Sequence, residues 1–274
     1  MSQIIEPYRQ EKKVLDYLSD ESVKKIGLVF YHGLGDCVQF MHILKFLRDI
    51  YRDRKIDILL QSNLNQESIF PDAIMIDNWD HLEELDYDYI FKIHFPVEIE
   101  GMTKAELCCE TEIGCTKIWE YGQIPNYPRK NFGYPSKLIG IHFHNTALPE
   151  VFNPSREVAE RIWNEVRDSG FIPIELDFNH PYHNPINEKF DFIDCTVRRV
   201  HGNVFTLLSL INACQGVIAV PSGPLHCSLA IIPKQVLYLE KNIPLKRFTY
   251  WSIPSVNVLD YKGGEVTDWL RTII

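Results

Sequence analysis

The sequence is short of the features that would settle its class quickly. No apolar run approaches the ~20 residues that a membrane span needs, and the best, residues 204–220, carries Asn212 and Gln215. Positive charge is scarce: 28 Lys and Arg against 37 Asp and Glu leave a formal net charge of −9. That balance is the reverse of a nucleic-acid-binding footprint, although a local basic cleft survives in such an average. The 14 Gly and 16 Pro follow no period, which excludes collagenous and low-complexity chains. Cysteine numbers seven, an odd and scattered set without a paired C-x-x-C, so neither a disulfide framework nor a zinc ribbon is expected. Residues 1–13 are polar and hold no apolar h-region. The expectation is therefore a cytoplasmic protein with reduced, buried thiols. There is no Gly-Lys-Ser/Thr phosphate loop and no G-x-S-x-G elbow.

What is present is core-forming material. Hydrophobic residues make up 45% and aromatic residues 12% of 274 positions, enough for two compact domains or one large one. Short β-rich runs alternate with amphipathic stretches. Strands are expected at 26–31, 56–60, 73–76, 89–93, 138–142, 172–176, 190–193, 217–220, 235–239 and 256–259. Most are continuously apolar, as in parallel strands covered on both faces. The run at 172–176 is the weakest, because Pro173 cannot donate within a central ladder. Helices are expected at 36–51, 155–169, 204–214 and 265–274. Strand–helix alternation defines a parallel α/β protein. Between Gly122 and Lys137 the prolines 125, 128 and 135 and the absence of periodicity mark an interdomain joint. Two α/β halves follow, 1–130 and 131–264.

Three loops carry chemistry-bearing residues. The first, Phe30-Tyr31-His32-Gly33-Leu34-Gly35-Asp36, joins the first strong strand to the first strong helix. Its glycines allow a tight turn and close backbone approach, and amides at a helix start favour an anion. Val38 stands where a dinucleotide fingerprint has its third glycine. Asp36 reads as an N-terminal helix acid, which the spacing alone favours, or as a general base at the carboxyl end of a strand. The second, Val220-Pro221-Ser222-Gly223-Pro224-Leu225-His226, again follows a buried strand, with Pro224 opening a helix. Ser222 reads as a cap or a phosphate donor, and His226 as a core histidine or a site residue. The third, His142-Phe143-His144-Asn145-Thr146, puts two imidazoles on one side of an extended segment. No third ligand at diagnostic spacing joins them, so zinc is not expected. Asp86-Tyr87-Asp88 has the spelling of a divalent-ion motif but precedes a strand and reads as a solvated turn.

Taken together these segments resemble the heptosyltransferase-like glycosyltransferases, the group similar to glycosyltransferase family 9, whose GT-B fold sets two Rossmann-like domains across a cleft. Gly33-Leu34-Gly35-Asp36 and its apolar helix resemble that family's N-terminal glycine–Asp loop. Ile139-Gly140-Ile141-His142, an irregular loop and Phe152-Asn153-Pro154 resemble the start of its nucleotide-binding domain. Residues 207–226, ending Ser222-Gly223-Pro224-Leu225-His226, resemble its most specific stretch.

The resemblance implies a metal-independent, inverting transfer of a sugar from a nucleotide-diphosphate donor to an acceptor hydroxyl, without a cofactor. Asp36 matches the acid that deprotonates the acceptor; Ser222, Gly223 and His226 match the turn that holds the donor diphosphate. Gly33, Gly35, His142, His144, Asn145 and Pro224 complete the expected donor and phosphate set. Two departures stand out. Pro221 occupies the place of an acidic donor-sugar contact, and residues 148–152 lack the family's loop lysine. Another cation is needed; Lys241, Lys246 and Arg247 are the options, with Arg247 preferred for its planar fork. The acceptor reads as a glycan sugar or a hydroxymethylated DNA base, and the helix 265–274 is expected to pack back on the N-terminal half. A nucleotide-sugar epimerase or hydrolase and a non-catalytic nucleotide-binding module are the alternative classes.

Overall fold

The computed structural model describes residues 1–61, 69–95, 104–116, 136–145, 148–176, 204–231, 235–241, 257–260 and 266–273. The chain divides into two compact units, Met1–Gly122 and Gln123–Ile274, at the head of the proline-rich stretch. The expected strand 190–193 and the cations Lys246 and Arg247 lie outside the described residues.

The first unit is a five-stranded sheet made of β1 (Gln3–Ile5), β2 (Lys25–Phe30), β3 (Lys55–Gln61), β4 (Ile74–Ile76) and β5 (Tyr89–Ile93), in the order β1-β5-β2-β3-β4. Every pairing is parallel. Its helices are α1 (Val14–Leu18), α2 (Leu34–Ile50) and α3 (Lys104–Cys108), the last running into a π-helical turn, Cys109–Ile113. Helix α2 buries Val38, Phe40, Met41, Ile43, Leu44, Phe46 and Leu47, whereas Ile50 in its last turn faces solvent. The nearly unbroken burial of β2 explains its continuous apolar run: both faces are covered.

The second unit repeats the plan with β6 (Leu138–His142), β7 (Ile172–Glu175), β8 (Gly216–Ala219), β9 (Val236–Glu240) and β10 (Asn257–Asp260), in the order β10-β9-β8-β6-β7, all parallel. Helices α4 (Pro149–Phe152), α5 (Arg156–Asp168), α6 (Val204–Ala213), α7 (Gly223–Ile231) and α8 (Val266–Thr272) complete it. Pro173 is accommodated because β7 is the edge strand of the described sheet, so its missing N–H faces no neighbour. Helix α5 starts where Ser155 accepts the Val158 N–H at 3.4 Å, and buries Ala159, Ile162, Trp163 and Val166 at i, i+3, i+4, i+7 spacing.

Val266, Trp269 and Leu270 of the last helix sit in the second unit's own core with Ile139, Ile162, Ile218 and Leu237. Gly216 makes the fit possible: a Cβ there would come within 2.7 Å of the Trp269 ring. The Glu165 carboxylate adds a lock by accepting the Val266 N–H at 2.8 Å.

Candidate functional site

In a sheet whose strands are all parallel, the carboxyl ends share one edge, and ligands bind where the chain's direction of travel across the sheet reverses. In the first unit that point lies between β2 and β5, in the second between β6 and β8. The loops picked out in the sequence fall at these two points: His32–Asp36 follows β2, His142–Asn145 follows β6, and Pro221–Ser222 follows β8.

In the first unit Gly33 is the N-cap of α2 in an extended conformation (φ −62°, ψ 164°), and Gly35 and Asp36 lie inside the first helical turn. Gly33 therefore needs no glycine-specific backbone, and among the described residues an added Cβ would approach only Asp36 Oδ2, at 4.0 Å. Asp36 is mostly buried and makes no side-chain cap hydrogen bond; Lys104 Nζ on α3 lies 3.4 and 3.3 Å from its two carboxylate oxygens. His32 stands beside the pair, its Nε2 3.3 Å from the Ile93 carbonyl at the end of β5. Burial pushes the His32 imidazole below its ordinary pKa; the Asp36 charge and the Ile93 carbonyl oppose this, while Lys104 and His94 reinforce it. Lys104 and His32 were not singled out in the sequence. Lys104 sits in a short, weakly periodic helix, and nothing local to residue 104 points to residue 36.

In the second unit Asn145 joins the loops on either side of the reversal point. Its backbone N–H donates to Asn153 Oδ1 at 2.6 Å, its Oδ1 accepts the Leu148 N–H at 2.7 Å, and its Nδ2 donates to the Pro221 carbonyl. Pro221 thus supplies a carbonyl to this lock. Ser222 is a true N-cap of α7: its Oγ donates to the Val220 carbonyl at 2.9 Å and accepts the Leu225 N–H at 3.4 Å. Since Pro224 has no N–H, the Gly223 amide is left as a donor at the helix start.

The histidines are placed unevenly. His142 is buried with Nδ1 2.6 Å from the Leu176 carbonyl, a structural anchor to the β7 end. His144 Nε2 lies 3.6 Å from Glu175 Oε1, and the two imidazoles are nearly perpendicular with centroids 6.5 Å apart. His226 is buried in the first turn of α7. Among the described residues no group of three or more His, Cys, Asp or Glu side chains could hold a metal ion. Lys241, one of the cations considered for the diphosphate, is engaged elsewhere: its Nζ donates to the carbonyls of Glu150 and Asn153 at 3.1 and 3.0 Å, closing the end of α4. Arg247 lies outside the described residues. Asp88 of the Asp86-Tyr87-Asp88 triplet accepts the backbone N–H groups of Lys24 and Lys25 at 2.6 and 2.8 Å, and the Tyr87 hydroxyl donates to Asp57 at 2.9 Å.

Two parallel α/β units with loops at both reversal points define a Rossmann-like pair, and comparison with solved structures places the fold. The chain is similar to the ADP-heptose lipopolysaccharide heptosyltransferase II of Escherichia coli, at 13% identity and a TM-score of 0.61 over 91% of this chain and 98% of that one. It is also similar to a family 9 glycosyl transferase from Veillonella parvula, at 13% identity and a TM-score of 0.58, covering 92% and 90%. The E. coli heptosyltransferase WaaC, solved with ADP, matches at 10% identity and a TM-score of 0.57, covering 91% and 100%. The fold is that of the heptosyltransferase-like glycosyltransferases. No family model matches the chain, and no curated protein matches it in sequence. No helix among the described residues is long and apolar enough to cross a membrane.

Proposed function

We propose that this chain is a glycosyltransferase that moves a sugar from a nucleoside-diphosphate donor to an acceptor hydroxyl. The observation that carries the reading is the placement of Asp36. It is a mostly buried carboxylate in the first turn after β2, at the reversal point of a sheet, held by Lys104 through both oxygens. A carboxylate so fixed at the end of a parallel strand suits a general base for an incoming hydroxyl.

In this reading Asp36 takes the acceptor proton as the acceptor oxygen attacks the anomeric carbon. The bond from that carbon to the diphosphate oxygen breaks, and the configuration inverts. The leaving diphosphate is met in the second unit by the Gly223 amide and the positive end of α7. Asn145 holds the two loops that shape that end. No metal is needed for these steps, and Arg247 remains the proposed cation for the diphosphate. The acceptor is a glycan sugar, with a hydroxymethylated DNA base as the second choice, and the reaction is placed in the cytoplasm.

The test is calorimetric titration with ADP, UDP, GDP and their sugars, followed by assay of nucleoside-diphosphate release with Asp36→Asn. Binding of one diphosphate together with loss of turnover in the variant is expected. No binding to any of them overturns the reading. Turnover that survives in Asp36→Asn reduces Asp36 to a helix acid, and product found without any acceptor points to a hydrolase or epimerase.

A further inference from the structure

One buried carboxylate is not used by the chemistry above. Glu112 sits on the π-helical turn after α3, fully buried. Its two oxygens accept consecutive backbone N–H groups, His94 at 2.6 Å and Phe95 at 2.7 Å. These residues follow β5, on the far side of the reversal point from the Gly33 loop. Phe95 is held at φ 50°, in the left-handed region that a bulky residue rarely adopts. Its ring packs against Phe30, Phe40 and His32, at centroid distances of 5.4, 6.4 and 5.7 Å. Helix α3 and its π-turn therefore reach both sides of the reversal point: Lys104 holds Asp36 after β2, and Glu112 holds the His94–Phe95 turn after β5. Single π-turns inserted in helices are rare and concentrate at functional sites.

We propose that Glu112 is the positioning residue of the first unit's site: by gripping two consecutive amides it fixes Phe95 against His32, and so fixes His32 beside Asp36. This rests on the reading of Asp36 as the base. Glu112 touches no substrate and acts through the turn it holds.

The grip depends on protonation. An ionised carboxylate accepts with both oxygens, whereas a protonated one carries an O–H that turns one donor against another donor. Burial pushes Glu112 up to about 7, opposed by the two amides, the Cys108 thiol and the Lys13 charge. The other charged and titratable groups on neighbouring elements are Arg9, paired with Glu6, and Asp16, which accepts the Lys13 N–H, together with the His94 imidazole stacked on Tyr8. The turn is thus held in full above neutral pH and loses one of its two bonds below it.

Amide hydrogen exchange of His94 and Phe95, measured by NMR at pH 8 and pH 6 and corrected for intrinsic rates, tests this directly. In the wild-type protein at pH 6 only about a tenth of Glu112 stays ionised, so protection of at least one amide should fall several-fold. Glu112→Gln should show the lower protection at both pH values, and Glu112→Asp should recover part of the pH response. Protection at pH 8 that is no lower in Glu112→Gln than in the wild type overturns the proposal, and Glu112→Asp, whose shorter carboxylate should hold one amide less well, gives the same comparison if the glutamine variant does not fold. Release of diphosphate from ADP-glucose, UDP-glucose and GDP-mannose supplies the second readout. A limb centred near pH 7 should appear in the wild type and vanish in Glu112→Gln. If exchange responds and turnover does not, Glu112 is structural only and the positioning role fails. If Asp36→Asn keeps its turnover, the base reading fails, while the exchange result still reports on Glu112.

Discussion

The two units share a strand plan and differ in what they place at its reversal point. The first ends its central strands in charge: the Asp36–Lys104 pair beside His32, with Glu112 behind the facing turn. The second ends them chiefly in neutral hydrogen bonds, with Asn145 tied to Asn153, Leu148 and Pro221 and Ser222 capping α7, and with the His144–Glu175 contact beside them. One scaffold, used twice, thus carries one end suited to moving a proton and one suited to receiving an anion with backbone donors. The −9 net charge foretold neither, because the decisive groups in each unit are a few buried ones.

The contrast can be broken most directly at Asp36. If the first unit moves the proton and the second holds the diphosphate, Asp36→Asn should lower turnover by roughly 10²–10⁴-fold. Its dissociation constant for the nucleoside diphosphate should stay within about twofold of wild type, as read by calorimetry. A matching loss of affinity would mean that the two roles are not divided between the units.

The next largest effect belongs to the second unit's core. Trp269→Ala should destabilise by about 3–5 kcal/mol in urea unfolding, because it empties a ring-sized space against Gly216. If a two-unit unfolding curve resolves, only the transition of the second unit should move. An unmoved second transition would show that the Trp269 ring carries little of that core.

Glu112 sharpens the contrast through pH. Its folded-state pKa, about 7, is raised above the ordinary glutamate value of 4.5. Its contribution to stability is therefore fully present below about pH 4.5 and is lost as pH rises through 7. Between pH 5 and pH 8 that is about 2–3 kcal/mol. His32, lowered by burial, contributes with the opposite sign, losing stability as pH falls below its ordinary range. The difference between wild type and Glu112→Gln isolates the glutamate. Unfolding free energies at the two pH values should show the wild type losing more stability toward pH 8 than the variant, and parallel curves would refute this. The Glu112 contribution to stability and the order of the turn it holds thus respond to pH in opposite directions, as expected of a buried charge kept for positioning.

How much of this could be read in the residues follows from the range of each signal. The strand at Tyr89–Ile93 and the helix at Arg156–Asp168 were legible because their patterns are local: a continuous apolar run and an amphipathic repeat behind a serine cap. The β2–α2 and β8–α7 turns were legible for the same reason, being small residues between a buried strand and an apolar helix. By contrast β1 is only three residues long, and the segment from Lys104 to Ile113 bends from an α to a π turn, so neither carries a period. The Lys104–Asp36 pair spans 68 positions, and Glu112 reaches His94 across 18. Pairings of that kind exist only once the sheet has formed. Lys241 failed in the other direction: its place beyond a strand end suggested an anion site, but the ε-ammonium group is engaged by two carbonyls.

Lys241 also gives the smallest prediction, and a clean one for the division of labour. It is exposed, and it donates to the Glu150 and Asn153 carbonyls at 3.1 and 3.0 Å. Charge-assisted bonds to backbone at the surface contribute little, so Lys241→Met should lower stability by about 1 kcal/mol or less. The donor's dissociation constant should not change, because the ammonium group points at the end of α4 and not at the α7 turn. A tenfold weaker diphosphate affinity at unchanged stability would show that Lys241 leaves those carbonyls for the ligand. In that case the second unit, like the first, would work through a charged side chain, and the contrast between charged and neutral ends would fall.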